Sequence, residues 1–213
     1  MISWATQTIQ QSALRWIDLV RAHDVDLYRH SIGVYQLTAT FCIYLGLPLV
    51  QRHEFTLGAL LHDVGKITIP SELLHKPSDL TPIEQDRVRT HPEIGYAMLE
   101  AEGCYSPTVL SIARDHHERL DGTGYPQRLG GITISEGVRI VTLCDIYAAL
   151  TEGRSYLIPL RWNDALECMA TEHAGLDLEL LMHFADMIEA IPHGQVLSGT
   201  GHQKPVDLAG RSI

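Results

Sequence analysis

A chain of 213 residues with 45% apolar side chains can bury a core of its own and is too apolar for general disorder. Its formal net charge of −10, with histidines neutral, excludes a protein that coats nucleic-acid backbones, because that task needs a basic face. No apolar run reaches the roughly 18 to 20 residues of a membrane span, and the longest candidate, Leu37 to Val50, is interrupted by Gly46 and Pro48.

In chain order, residues 3–20 predict an amphipathic helix with Ile9, Ala13, Trp16, Ile17 and Val20 on one face. A long helix follows from about Asp24 to Leu45, and another from Leu49 to Asp63 that stops at Gly65. Ile67 to Pro70 reads as a short extended piece. Thr81-Pro82-Ile83-Glu84 is a capping-box start with proline in the first helical position, and its helix runs to about Arg89. Further helices are expected from Pro92 to Ala101 and from Ser106-Pro107 onward, the latter carrying His116 and His117. The glycine-rich stretch 121–131 reads as loop, and Ser135-Glu136 starts a helix that ends at Gly153. Asn163 and Asp177 are expected to cap two more helices. The expectation is one all-α domain over residues 23–192, with an N-terminal helix (1–22) packed on it and a loose tail over 193–213.

The N-terminal sequence MISWATQTIQQ has neither a basic start nor an apolar stretch, so no secretion signal is expected and the chain should stay in the cytoplasm. Cys42, Cys104, Cys144 and Cys168 lie far apart without a CxxC pair, which fits reduced, packed thiols better than a disulfide framework or a zinc knuckle.

The chemistry lies in short polar islands within apolar helices: Asp26 with His30, His62-Asp63 followed by Lys66, His91, His116-His117-Glu118, and Asp145. Taken alone, Asp26 and His30 read equally well as a solvated i,i+4 pair, and His91 before Pro92 as a simple helix start. Asp145 sits inside RIVTLCDIYAAL, where an unpaired carboxylate would be expensive to bury. Together Asp26, His30, His62, Asp63, His91, His116, His117 and Asp145 form a nitrogen and oxygen donor set of eight with no cysteine. Divalent iron, manganese, nickel or zinc accept such donors, and a shared carboxylate can bridge two ions. Eight donors are too many for one closed site of four ligands and suit two or three ions. Metals a few ångströms apart can activate a bridging hydroxide and clamp a phosphoryl oxygen. An acidic chain can handle a phosphate ligand when metals supply the local positive charge.

His62-Asp63-Val64-Gly65-Lys66 resembles the HDxGK motif of the HD phosphohydrolase superfamily, and HHERLDGTGYP, His116 to Pro126, resembles the HHExxDGxGYP signature of its HD-GYP subfamily. His91-Pro92-Glu93-Ile94-Gly95 is similar to that subfamily's HPxxG element, and Arg139-Ile140 through Asp145 to Arg154 to its RIxxxxDxxxALxxxR segment. The similarity covers about residues 24–190. It implies a helical HD-domain bundle with a metal site in its core, and hydrolysis of cyclic di-GMP to pGpG, often onward to GMP. By resemblance Asp63 bridges two ions, iron or manganese, with His30, His62 and Asp145 serving one and His91, His116 and His117 the other. Asp26 stands where some members hold a third ion, and is shorter than the glutamate usual there. Lys66 would stabilise charge on the phosphoryl oxygens, and Arg154 would contact substrate phosphate through paired hydrogen bonds. The Asp121–Pro126 loop, with Tyr125, would border the substrate and offer contacts to a protein partner; as an alternative it is a tight structural turn. A homodimer is a further expectation.

Three positions depart from the subfamily pattern: Ala148 replaces a second aspartate, Leu157 replaces a basic residue, and Ile134-Ser135 replaces Ile-Pro. Two competing readings follow. One is a slow, metal-loaded domain that signals by binding a cyclic dinucleotide or a partner protein. The other is a hydrolase of another phosphate ester, such as cyclic GMP-AMP.

Overall fold

The computed structural model describes residues 4–152, 159–172 and 175–191. Arg154, Leu157 and the 193–213 tail therefore lie outside the described residues. Among those described there is no strand, only an isolated antiparallel bridge between Asp121 and Gly130. No described helix is long and apolar enough to cross a membrane.

Helix α1 (Trp4–His23) buries Ala13, Trp16, Ile17 and Val20 as one stripe, as the helical period requires. Asp24 then caps α2 (Val25–Tyr44), accepting from the backbone N–H of Asp26 and Leu27 at 2.9 Å each. The same buried carboxylate accepts from Ser71 Oγ at 2.9 Å and pairs with His75 Nε2 at 2.5 Å. It thereby ties the start of α2 to the short helix α4 (Ser71–Leu74), which the sequence pattern had not marked. Between them lie α3 (Leu49–Leu61) and a 3-10 turn, Val64–Thr68.

That turn takes the first half of the expected extended piece, Ile67 and Thr68, while Ile69 is extended. Lys66 N donates to Asp63 O and Ile69 N to Lys66 O, so the chain winds in three-residue steps until Ile69. The capping box at Thr81 and Glu84 forms as read and opens α5 (Pro82–Val88). Helices α6 (His91–Ala101) and α7 (Pro107–Asp115) follow, the second ending just before His116 and His117 rather than carrying them. After a second 3-10 turn at Gly131–Thr133, Ser135 caps α8 (Glu136–Thr151). The last described helices are α9 (Trp162–Glu172) and α10 (Leu178–Ala190). Asp177 caps α10, whereas α9 starts at Trp162, so Asn163 lies in its first turn instead of preceding it.

Helix α8 is the axis of the bundle. Every residue from Gly137 to Ala148 except Arg139 is buried, and α2, α3, α7, α9 and α10 all pack against it. The apolar core divides into two clusters, one built around α8, α9 and α10 and the other around α1 and α6. Helices α2, α3 and α7 contribute side chains to both. His30, His62-Asp63 and His116-His117 sit on these shared helices or at their ends, His91 begins α6 and Asp145 lies on α8, which places them inside the molecule, whereas Asp26 in the first turn of α2 stays partly exposed.

Candidate metal centre

Three of the histidines are set at helix ends. His62 follows the last residue of α3, His91 begins α6, and His116 follows the last residue of α7. The last carbonyls of a helix have no partner within it, and here they accept from imidazole. His62 Nδ1 donates to Ala59 O at 2.7 Å, His91 Nδ1 to Val88 O at 2.7 Å, and His116 Nδ1 to Ala113 O at 3.1 Å. A carbonyl only accepts, so each Nδ1 carries the proton and each Nε2 keeps its lone pair.

Those lone pairs converge on Asp63. His91 Nε2 lies 3.1 Å from Asp63 Oδ1 and His116 Nε2 lies 3.7 Å from it, while His62 Nε2 is 3.3 Å from Asp63 Oδ2. His91 Nε2 and His116 Nε2 are 3.3 Å apart. Two imidazole lone pairs facing each other at this distance repel unless a cation lies between them. His62 Nε2 and Asp63 Oδ1 are buried without a hydrogen-bond partner, a costly arrangement for polar atoms that nothing binds. Asp145, from the middle of α8, lies 2.9 Å from His30 Nε2 and 3.8 Å from His62 Nε2.

Among the described residues, three groups offer ligand atoms within 4.8 Å of one another: Asp63 with His91, His116 and His117; His30 with His62 and Asp63; and His62 with His116 and Asp145. Asp63 is common to the first two. Imidazole nitrogens and carboxylate oxygens without a thiolate are the donors divalent first-row metals accept, so the residues present fit the implied ions. Asp26 is not in these groups. Its carboxylate pairs with Arg29 at 3.1 Å in the first turn of α2 and is 40% exposed.

The local fields prepare these donors. Burial, partly opposed by Asp63, pushes the His116 imidazole down to about 4, and burial likewise lowers His91. Burial and the neighbouring His116 hold His117 well below the ordinary histidine range, so all three are neutral near pH 7. His30 differs: burial works against its cation, but hydrogen bonds to Asp145 and Glu152 raise it to about 9. Burial also opposes ionisation of Asp63 and Asp145. The Lys66 ammonium outweighs it at Asp63, and the hydrogen bond from His30 does so at Asp145, so both stay carboxylates well below the usual range. Lys66 Nζ donates to Asp63 Oδ2 at 2.6 Å.

Close backbone contact holds the pieces together. A Cβ on Gly65 would lie 2.1 Å from His91 O and 2.7 Å from Gly95 N, so only glycine lets the turn after Asp63 touch the start of α6. The loop 121–131 folds back on the histidine pair. Glu118, buried beside it, accepts from the backbone N–H of Gln127 at 2.6 Å and of Leu129 at 2.9 Å. Tyr125 stacks on the His117 ring with centroids 4.6 Å apart, and the Arg89 guanidinium lies 5.5 Å from the tyrosine ring.

Sequence reasoning singled out Glu118 only as part of a polar island, and its pairing with the loop amides was visible only in three dimensions. It did not find Glu152, whose Oε2 is 2.9 Å from His30 Nδ1. Nor did it find Thr142, whose hydroxyl donates to His116 O at 2.8 Å and fixes the turn after α7 against α8.

Comparison with known proteins points to one family. The HD domain family model matches residues 15–180. A cyclic di-GMP phosphodiesterase of Pseudomonas aeruginosa is 35% identical over 188 residues, which is 87% of this chain and 45% of that protein. A 3'3'-cGAMP-specific phosphodiesterase of Vibrio cholerae is 32% identical, over 78% of this chain and 38% of its own length. The chain thus spans less than half the length of these relatives. Among solved structures, an HDG"Y"P protein from Bdellovibrio bacteriovorus superposes with a TM-score of 0.65 at 23% identity, covering 75% of this chain and 51% of that one. With the match running through all four motifs and the helical bundle that carries them, the chain belongs to the HD domain family.

Proposed function

We propose that this chain hydrolyses a phosphodiester bond of a cyclic dinucleotide, with cyclic di-GMP as the first substrate to test. The observation that carries the reading is the buried centre in which imidazole lone pairs and an unpartnered Asp63 oxygen face one another. The names of the relatives support the substrate class.

In this reading Asp63, common to two of the donor groups, would help to hold two ions, iron or manganese. His30, His62 and Asp145 complete one ligand set, and His91, His116 and His117 the other. The bound ions supply Lewis acidity and lower the pKa of water. The chain's own residues do the rest. Burial keeps His91, His116 and His117 neutral, and Lys66 helps to keep Asp63 ionised while its ammonium remains available to a phosphoryl oxygen. Tyr125, stacked on His117, forms a wall against which a base or ribose can rest. Arg154 would hold the second phosphate. Product release as pGpG, with slow onward cleavage to GMP, is the expected outcome. The cGAMP-specific relative favours 3'3'-cGAMP as a second substrate to set beside the first.

The test is anaerobic purification, metal analysis, and product chromatography after incubation with either dinucleotide. Asp63→Ala should lose most bound metal and all hydrolysis. Full activity in a rigorously metal-free sample would sink the proposal.

A further inference from the structure

Among the described residues, the four buried histidines are not held alike at Nδ1. His62, His91 and His116 use carbonyls at or near helix ends, which have accepting capacity to spare. His30 lies inside the twenty-residue helix α2, where the surrounding carbonyls already accept helical hydrogen bonds. Its Nδ1 therefore needs an acceptor from elsewhere, and Glu152 Oε2 supplies one at 2.9 Å.

Two features show that this contact is built into the fold. Glu152 lies just past the end of α8, seven residues or about two helical turns after Asp145. The imidazole is thus clamped by two carboxylates of one segment: Asp145 on Nε2 and Glu152 on Nδ1, both at 2.9 Å. One turn before Glu152, Ala148 carries no polar side chain that could serve. On the other side, α2 opens a notch for the carboxylate. A Cβ on Gly33 would sit 2.3 Å from Glu152 Oε1, so the side chain occupies space that only glycine leaves.

We infer that Glu152 is the positioning residue of His30: it holds the proton on Nδ1, orients Nε2 toward the centre, and makes that nitrogen a stronger donor once an ion displaces its proton. A carboxylate behind a ligating imidazole fixes both tautomer and ring orientation, and its loss commonly weakens metal binding by roughly 10- to 100-fold. The inference rests on the metal-centre reading above.

The test is titration of metal-free protein with manganese, followed by calorimetry, for the unmutated chain, Glu152→Ala and Glu152→Gln. In parallel, nitrogen NMR of the His30 ring in zinc-loaded protein reports the tautomer. Glu152→Ala should weaken manganese binding by about 10- to 100-fold and blur the His30 tautomer. Glu152→Gln, which keeps an accepting oxygen, should recover part of the affinity and the Nδ1–H signal. Tight binding by the unmutated chain with identical affinity and ring signals in Glu152→Ala overturns this inference alone. If the unmutated chain binds no manganese, the metal-centre reading fails and the inference with it.

Discussion

Gly65→Ala tests whether backbone contact, rather than side-chain chemistry, brings the two halves of the centre together. The added carbon would lie 2.1 Å from His91 O and 2.7 Å from Gly95 N. Carbon and oxygen normally approach no closer than about 3.3 Å, so relief requires the 3-10 turn and the start of α6 to separate by roughly 1.2 Å. Neither atom belongs to a flexible side chain that could swing aside. His91 Nε2 now stands 3.1 Å from Asp63 Oδ1, and metal–ligand distances tolerate only about ±0.2 Å. The displacement is several times that tolerance. Overpacking of this kind costs about 1–3 kcal/mol, or a few degrees of Tm per kcal/mol in a chain of this size. A shift near 1 Å at reacting groups can cost about 10²-fold in rate. Thermal unfolding, manganese titration and hydrolysis of cyclic di-GMP should therefore all change together. An unshifted Tm with full manganese binding and rate would show that the Gly65 contact does not set the position of His91.

Lys66→Ala should fold and keep its metal but turn over roughly 10²-fold more slowly, as for a lost charge stabiliser; an unchanged kcat with a raised KM would limit Lys66 to holding substrate. Glu118→Ala removes two charge-assisted bonds to the loop amides, each worth about 1.5–3 kcal/mol at most when buried. Because the loop is partly exposed, about 2 kcal/mol of total destabilisation is expected, with faster hydrogen exchange at Gln127 and Leu129; protection equal to the unmutated chain would contradict it. Burial opposes ionisation of Asp24, but bonds from Leu27 N, His75 and Ser71 outweigh it and lower its pKa. Its contribution is thus present above the unfolded value near 3.9 and lost as pH falls through the folded value; Asp24→Ala should cost about 1–3 kcal/mol at pH 7 and flatten the acid limb of a denaturation profile.

The two kinds of site residue differ in how far they could be read from sequence. His62-Asp63, His91 and His116-His117 stand at helix boundaries marked locally by glycine, proline and a change of polarity. Asp145 announced itself by interrupting an apolar helix. Asp24 was legible as the start of α2, yet its second task, holding Ser71 and His75, needs a chain reversal of some fifty residues that no local pattern encodes. Ile67 and Thr68 were misread as extended because Ile67 to Pro70 has strand-like composition, although Ile69 is extended as expected. What decides there is the tight approach of Gly65 to α6, a tertiary constraint that overrides propensity.

Glu152 marks where reading by residue type stops. It stands at a polar helix end beside Gly153, a place where a glutamate ordinarily needs only solvent, and its partner is 122 residues away. Asp26, by contrast, had the better local argument, four residues before His30 on one helix. Yet four residues on a helix set a common face, not a common target. His30 lies under α8 with its side chain 5% exposed, while the Asp26 side chain, one turn nearer the end of α2, is 40% exposed and has Arg29 within reach. Depth along the helix decides between them: one turn separates a position sealed by α8 from one open to solvent. A ligand set read from spacing alone therefore has to be checked first at the donors nearest a helix terminus.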